Sequence, residues 1–328
     1  MDVRSAWQSP SIGERARGAI WLVPLLLAAA ELVGHATMRT RVATPDDWHR
    51  AGAYVQRVIG PRDQAVAAPS WADPLLRREL GATLGLDRVG ALDLEAFDRV
   101  FVFSIRGHRP DELSDRVPAE TRRFGNVTVA RYDLGRSPLL YDFVAHAMDA
   151  EVTRLVDGHP RTCPRVRVAE RGGGLGVGPF WPEDRFVCDA QRPWLFVART
   201  VSEDRDLALR TCIWQHPQGH EPIRATFTDV PLGERIVIDA DIYYEHERNE
   251  VHGPVPFELR VLVDGRDAGT MRHVDGQGRK RMVITTGNTG TPAGRRGTVA
   301  IETTTADPHL RTICWSGSTR GAAREAGR

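Results

Sequence analysis

The spacing of apolar and polar positions changes character twice along the chain. Ala19–Met38, "AIWLVPLLLAAAELVGHATM", is an apolar run with no charge until Glu31 interrupts it. Residues 44–156 mix two periods. Trp48, Ala51, Tyr54, Val55 and Val58 recur at helical spacing behind Thr44 as N-cap, Pro45 at the first helical position and the acidic pair Asp46-Asp47; Gly60-Pro61 ends the run. "QAVAAP" and Val100 to Ile105 read as short buried strands, and "GNVTVARYDL" alternates as another. A short helix is expected from Pro74, and "SPLLYDFVAHAMDAEVTRL" carries helical spacing from Ser137-Pro138 onward. Beyond residue 160 the period falls to two. Short alternating segments run from Arg165–Ala169 through Phe257–Val263 to Arg311–Trp315, with Asp264-Gly265 and Asp275-Gly276 as turn pairs. The pattern predicts an α+β chain: an N-terminal apolar anchor, a small α/β domain over 44–156, an antiparallel, jelly-roll-like β-sandwich over 160–320, and a disordered tail over 321–328.

The apolar run falls between a signal-peptide core of roughly 7–15 residues and a spanning helix of roughly 20. Ala28-Ala29-Ala30 and Gly34-His35-Ala36 both fit small-x-small cleavage sites. Retained, Ala19–Met38 just spans a bilayer with Glu31 near the outer interface. Arg4, Arg15 and Arg17 then place residues 1–18 in the cytoplasm, a slight bias because Arg39 and Arg41 flank the other end. Either reading exports residues 40–328. The retained anchor in the inner membrane is the expectation, with the rest in the periplasm or on the cell surface.

Export governs the reading of Cys163, Cys188, Cys212 and Cys314. In an oxidising compartment four cysteines read as two disulfides, expected as Cys163–Cys188 and Cys212–Cys314. The second pair would join two nearly identical hexapeptides, "LRTCIW" at 209–214 and "LRTICW" at 310–315. Strand alternation puts Cys212 and Trp214 on one face, while Cys314 and Trp315 point to opposite faces.

Composition mainly excludes. A net charge of +1 gives no electrostatic basis for nucleic-acid binding, and Lys280 as the only lysine removes a phosphate-loop lysine. The glycine-rich stretch Arg171–Pro182 runs into Pro179-Phe180-Trp181-Pro182, which cannot open a phosphate-binding helix. No Gly-x-Ser-x-Gly elbow and no His-Glu-x-x-His pair occurs. No catalytic residue, cofactor or metal site is assigned. Cys212, His216 and His220 have ligand spacing only on a helix, and the segment reads as strand and turn.

Two resemblances overlie this reading. The Trp48 helix, Gly60-Pro61-x-Asp63, Trp71-x-Asp73-Pro74 and the "RVFVFS" strand together resemble the soluble extracytoplasmic part of protein-mannosyltransferase-like membrane glycosyltransferases, over about residues 48–132. The catalytic membrane part is missing, so the resemblance implies only a sugar- or lipid-related setting at a membrane. Residues 160–320, with "VLVDG" and the "DGQG" turn, resemble a galactose-binding-like jelly roll.

The richest local set for sugar hydroxyls is Tyr243, Tyr244, Glu245, His246 and Glu247, running on to Glu250 and His252, with Phe180 and Trp181 as an exposed aromatic tip. The expected function is non-catalytic binding of a cell-envelope glycan or partner. An accessory subunit of a membrane glycosyltransferase is the alternative. A glycan hydrolase using Glu245, Glu247 or Glu250 is a third reading.

Overall fold

The computed structural model describes residues 22–84, 93–169, 172, 181–203, 209–248, 255–289, 294–309 and 311–322. Helix α1 (Leu22–Arg41) carries no buried residue and is long and apolar enough to cross a membrane. Ala19 to Trp21 and residues 1–18 lie outside the described residues. Helix α2 (Pro45–Val58) opens with a full capping box: Asp47 N–H donates to the Thr44 hydroxyl, and the Asp47 carboxylate accepts the Thr44 N–H at 3.0 Å. Its Trp48, Ala51 and Val55 face is buried.

That face covers a four-stranded sheet in the order β1-β2-β4-β3, formed by β1 (Asp63–Ala68), β2 (Arg99–Ile105), β3 (Glu120–Phe124) and β4 (Val127–Asp133). Helix α3 (Asp73–Leu80) packs beside α2, while β1 and β2 run parallel. Asp47 has a second use at this sheet. The β3–β4 turn presses Gly125 onto its carboxylate so closely that a β-carbon there would collide, and the turn needs φ +60°.

The remaining strands make two sheets facing each other. One has the order β16-β13-β18-β11-β10-β9-β8, with β5 also paired to β18. Its members are β5 (Leu139–Asp142), β8 (Arg165–Arg167), β9 (Asp184–Val187), β10 (Phe196–Glu203), β11 (Leu209–Gln215), β13 (Arg235–Ile242), β16 (Lys280–Thr285) and β18 (Ile313–Arg320). The other has the order β15-β14-β17-β12-β6-β7, from β6 (Glu151–Val156), β7 (His159–Thr162), β12 (Ile223–Pro231), β14 (Phe257–Val263), β15 (Arg266–His273) and β17 (Arg296–Thr305). Strict alternation sends Ile236, Ile238 and Trp315 from the first sheet, and Phe227, Leu259, Val261 and Ile301 from the second, into one core. This is the expected sandwich. The disulfides pair as expected, Cys163–Cys188 and Cys212–Cys314, with Cα separations of 4.4 and 5.6 Å. With the apolar helix, they mark an extracytoplasmic protein.

The helix expected from Ser137 does not form. Residues 139–142 are strand β5, a turn and a single 3-10 turn follow, and 151–156 is strand β6. The cause is tertiary. Strand β11 meets β18 only at Ile213–Trp315 and Trp214–Cys314, leaving the later part of that β18 edge unpaired. Leu139–Asp142 fills it, and Phe143 N–H donates to Gly317 O at 3.0 Å. Residues 139–156, expected in the α/β domain, therefore supply strands to both sandwich sheets.

Candidate functional site

Where β18 exchanges β11 for β5, the sheet forks, and a polar cleft of about 180 Å³ opens in the fork. Antiparallel pairing sets its floor. Asp142 stands opposite Ser318, and Asp239 stands opposite Ser316. Arg199 on β10, Gln64 on β1 and Asp93, Ala96 and Phe97 from the loop before β2 complete the lining.

The polar groups differ in how they are held. Arg281 grips Asp239 with two bonds of 2.9 Å, and Arg279 adds a third at 3.2 Å. Burial opposes ionisation of Asp239, but these arginines outweigh it and hold the carboxyl below its ordinary range. Asp93 is kept low in the same balance by Arg320 and Arg281. Asp142 goes the other way. Burial pushes its carboxyl up, against the backbone N–H groups of Val144 (2.8 Å) and Ala145 and the charge of Arg199. Two members keep hydrogen-bonding atoms unused among the described residues. Gln64 is 2% exposed and its side-chain oxygen accepts no hydrogen bond among the described residues. The exposed Arg199 guanidinium makes none there either, nor any ion pair. Buried polar atoms are normally satisfied, so the Gln64 oxygen, in the lining of a cleft, is open to a donor such as water or a hydroxyl.

Sequence reasoning did not find this cleft. Its residues come from β1, the loop before β2, β5, β10, β11, β13 and β18, and no local motif links them. The set it did single out lies elsewhere. Tyr243 and Tyr244 are buried, Glu247 is 1% exposed with Oε1 accepting Gly278 N–H at 2.5 Å, and His246 Nδ1 lies 2.7 Å from the Thr312 hydroxyl. These residues sit at the start of a short helix, α4 (Tyr244–Arg248), with both tyrosine rings and Glu247 packed inward and His246 half-buried. The Glu245 side chain, Glu250, His252 and Phe180 lie outside the described residues. Trp181 is no exposed tip. It is half-buried, 6.1 Å from the Phe196 ring, with the Arg185 guanidinium 5.6 Å from its own. It covers the outer apolar patch of Phe196, Ala198, Cys212, Trp214 and Cys314, which the two cysteines and Trp214 reach by the predicted alternation.

No family profile and no curated protein matches the sequence. Solved structures do match. The CBM51-2 and INT domains of Clostridium perfringens ZmpB are 11% identical over 80% of this chain and 48% of theirs, TM-score 0.27. The same domains in complex with GlcNAc are 13% identical over 52% and 36%, TM-score 0.27. A family 43 glycoside hydrolase, an arabinoxylan arabinofuranohydrolase from Bacillus subtilis in complex with cellotetraose, is 7% identical over 71% and 43%, TM-score 0.27. The chain spans between about a third and a half of these structures' own length. At such identities and TM-scores they assign no ligand to this chain. The mannosyltransferase-like resemblance of residues 48–132 finds no support among these matches.

Proposed function

We propose that this is an inner-membrane-anchored, extracytoplasmic binding protein whose cleft at the β18 fork takes one terminal sugar unit of a cell-envelope glycan. The observation that carries the reading is the presence of an orphan acceptor and an unpaired donor in the lining of one cleft, Gln64 Oε1 and the Arg199 guanidinium. A sugar hydroxyl both donates and accepts, so neighbouring hydroxyls satisfy both groups, and Ser316 and Asp142 extend the set. Size agrees. The cavity is well below the roughly 300–1,000 Å³ of a drug-sized site, which suits the end of a chain and not its middle.

Binding fits the geometry better than turnover. Glycoside hydrolysis needs two working carboxyls, and at this cleft Asp239 and Asp93 are both committed to arginines, which leaves Asp142 alone. The accessory-subunit reading rests on the resemblance of residues 48–132 alone.

The test is a glycan array probed with the detergent-solubilised full chain, followed by titration of the best hit. Arg199→Ala and Gln64→Leu are each expected to weaken it by tenfold or more, with the fold kept. Equal binding by wild type and both variants would move the site elsewhere. No glycan bound at all would end the reading.

A further inference from the structure

A second groove lies where α1 ends. Met38 and Arg41 from the helix, Arg106 and Gly107 from the turn after β2, and Arg123, Asn126 and Thr128 from the β3–β4 hairpin enclose about 690 Å³. Its lining holds three arginines and no carboxylate. All three are exposed. Arg41 and Arg106 make no side-chain hydrogen bond or ion pair among the described residues, and Arg123 uses only Nε, toward Gly125 O at 2.8 Å. Most arginines elsewhere in the described chain are paired with carboxylates; Arg62, Arg77, Arg99 and Arg131 are examples from the same half.

The groove is also fixed in depth. Asn126 Nδ2 donates to Thr40 O at 2.8 Å and to Val42 O at 3.0 Å, so the end of α1 and the residue after it are tied to the hairpin. The 20 residues of α1 make about 30 Å of helix, the thickness of a bilayer's hydrocarbon core. With α1 inserted, its last turn leaves the hydrocarbon and the arginine groove stands among the headgroups. Long arginine side chains extend to that level.

We infer that this groove holds the phosphate of an anionic phospholipid in the leaflet facing the globular part, docking the head of the protein against the membrane. Guanidinium groups bind phosphate oxygens through paired N–H donors, and three converge here from separate parts of the chain. The inference is independent of the sugar cleft. It extends the role of the N-terminal helix from tether to orienting element.

The experiment reconstitutes the full chain in vesicles of phosphatidylcholine with and without phosphatidylglycerol, extracts it gently, and counts retained lipid by native mass spectrometry. Wild type is expected to retain phosphatidylglycerol in preference to phosphatidylcholine, and to lose that preference as salt rises. Each arginine removed in Arg41→Gln, Arg106→Gln and Arg123→Gln should lower the enrichment about fivefold. The melting curve should stay unchanged, since all three side chains are exposed. Equal enrichment in the triple variant would overturn the inference. So would displacement by millimolar inorganic phosphate as effective as by lipid, which would mean a free-phosphate site. N-terminal sequencing of the membrane-derived protein that begins beyond Met38 would overturn it as well.

Discussion

Gln215 Oε1 accepts the indole N–H of Trp315 at 3.0 Å in the middle of the sandwich core, where Gln215 and Trp315 are both fully buried. The same amide donates through Nε2 to Ile223 O at 2.9 Å and Ile301 O at 3.0 Å, on strands of the opposite sheet. One side chain therefore bridges the two layers and satisfies three groups that water cannot reach. Gln215→Leu keeps the volume and orphans all three. It should cost about 3–5 kcal/mol, read by urea denaturation, because each stranded group carries its desolvation penalty. A loss under about 1 kcal/mol would show that the bridge is not needed.

The two disulfides differ in span, 102 residues for Cys212–Cys314 and 25 for Cys163–Cys188. Loop-closure entropy then predicts that Cys212→Ala with Cys314→Ala loses about 4.7 kcal/mol, and the shorter pair about 3.5 kcal/mol. Thiol titration of unfolded native protein should find no free thiol. Free thiols in native material, or a larger loss from the shorter loop, would contradict this.

What the sequence announced and what it concealed divide along a physical line. Local periodicity sufficed for α2 with its Thr44 cap and for β14, whose bounds Phe257–Val263 match the expected run. Cysteine arithmetic sufficed for both bridges. Misreadings arose where distant chain supplied the partner. Leu139, Phe143, Val144 and Ala147 have helical spacing, yet the vacant edge of β18, more than 170 residues later, claims the segment as strand. Tyr243 to Glu247 is polar and aromatic enough for a surface patch, yet Thr312 and Gly278 fold over it. The cleft was hidden for the same reason: Gln64 and Arg199 are 135 positions apart, and only sheet pairing joins them. An odd polar residue in an apolar run, Gln64 in "DQAVAA", was the one local hint.

Arg320 ties the two halves of the molecule together. Its guanidinium lies 2.6 Å from Asp93 and 2.9 Å from Glu95, in the loop leading into β2, while Arg235 holds Glu95 from β13 at 3.2 Å. Arg320 is 3% exposed, so removing it leaves two carboxylates with much of their compensation gone. Arg320→Met should cost about 3 kcal/mol, and Asp93→Asn added to it should recover part of the loss, since the stranded charge goes with it. Urea denaturation of the single and double variants checks this. Strict additivity would mean the pair does not couple.

Acid should weaken the fold through two buried histidines before the carboxylates held low are reached. Burial drives His216 down to about 4, with its Nδ1 bonded to Pro217 O at 2.8 Å; burial likewise drives His273 to about 4, with its ring stacked 5.0 Å from Phe257. Both folded values lie below the ordinary 6.5, so between pH 6.5 and 4 the unfolded chain binds the protons that the folded chain refuses. The stability these residues contribute is complete above 6.5 and is lost as pH falls toward 4, up to about 3 kcal/mol each. Asp142 has the opposite sign. Its raised carboxyl contributes stability present below the ordinary 3.8 and lost as pH rises through the folded value, which partly offsets the histidines. Carboxylates held low, such as Asp93 and Asp239, lose their contribution only on going below the ordinary carboxylate range. His216→Asn retains a donor in the place of Nδ1 but cannot titrate. It should flatten the slope of unfolding free energy against pH by up to about 1.4 kcal/mol per pH unit between 6.5 and 4, and leave it unchanged above 7. An unaltered slope would mean that His216 takes up its proton in the folded state, which its burial and the charge of Arg192 oppose.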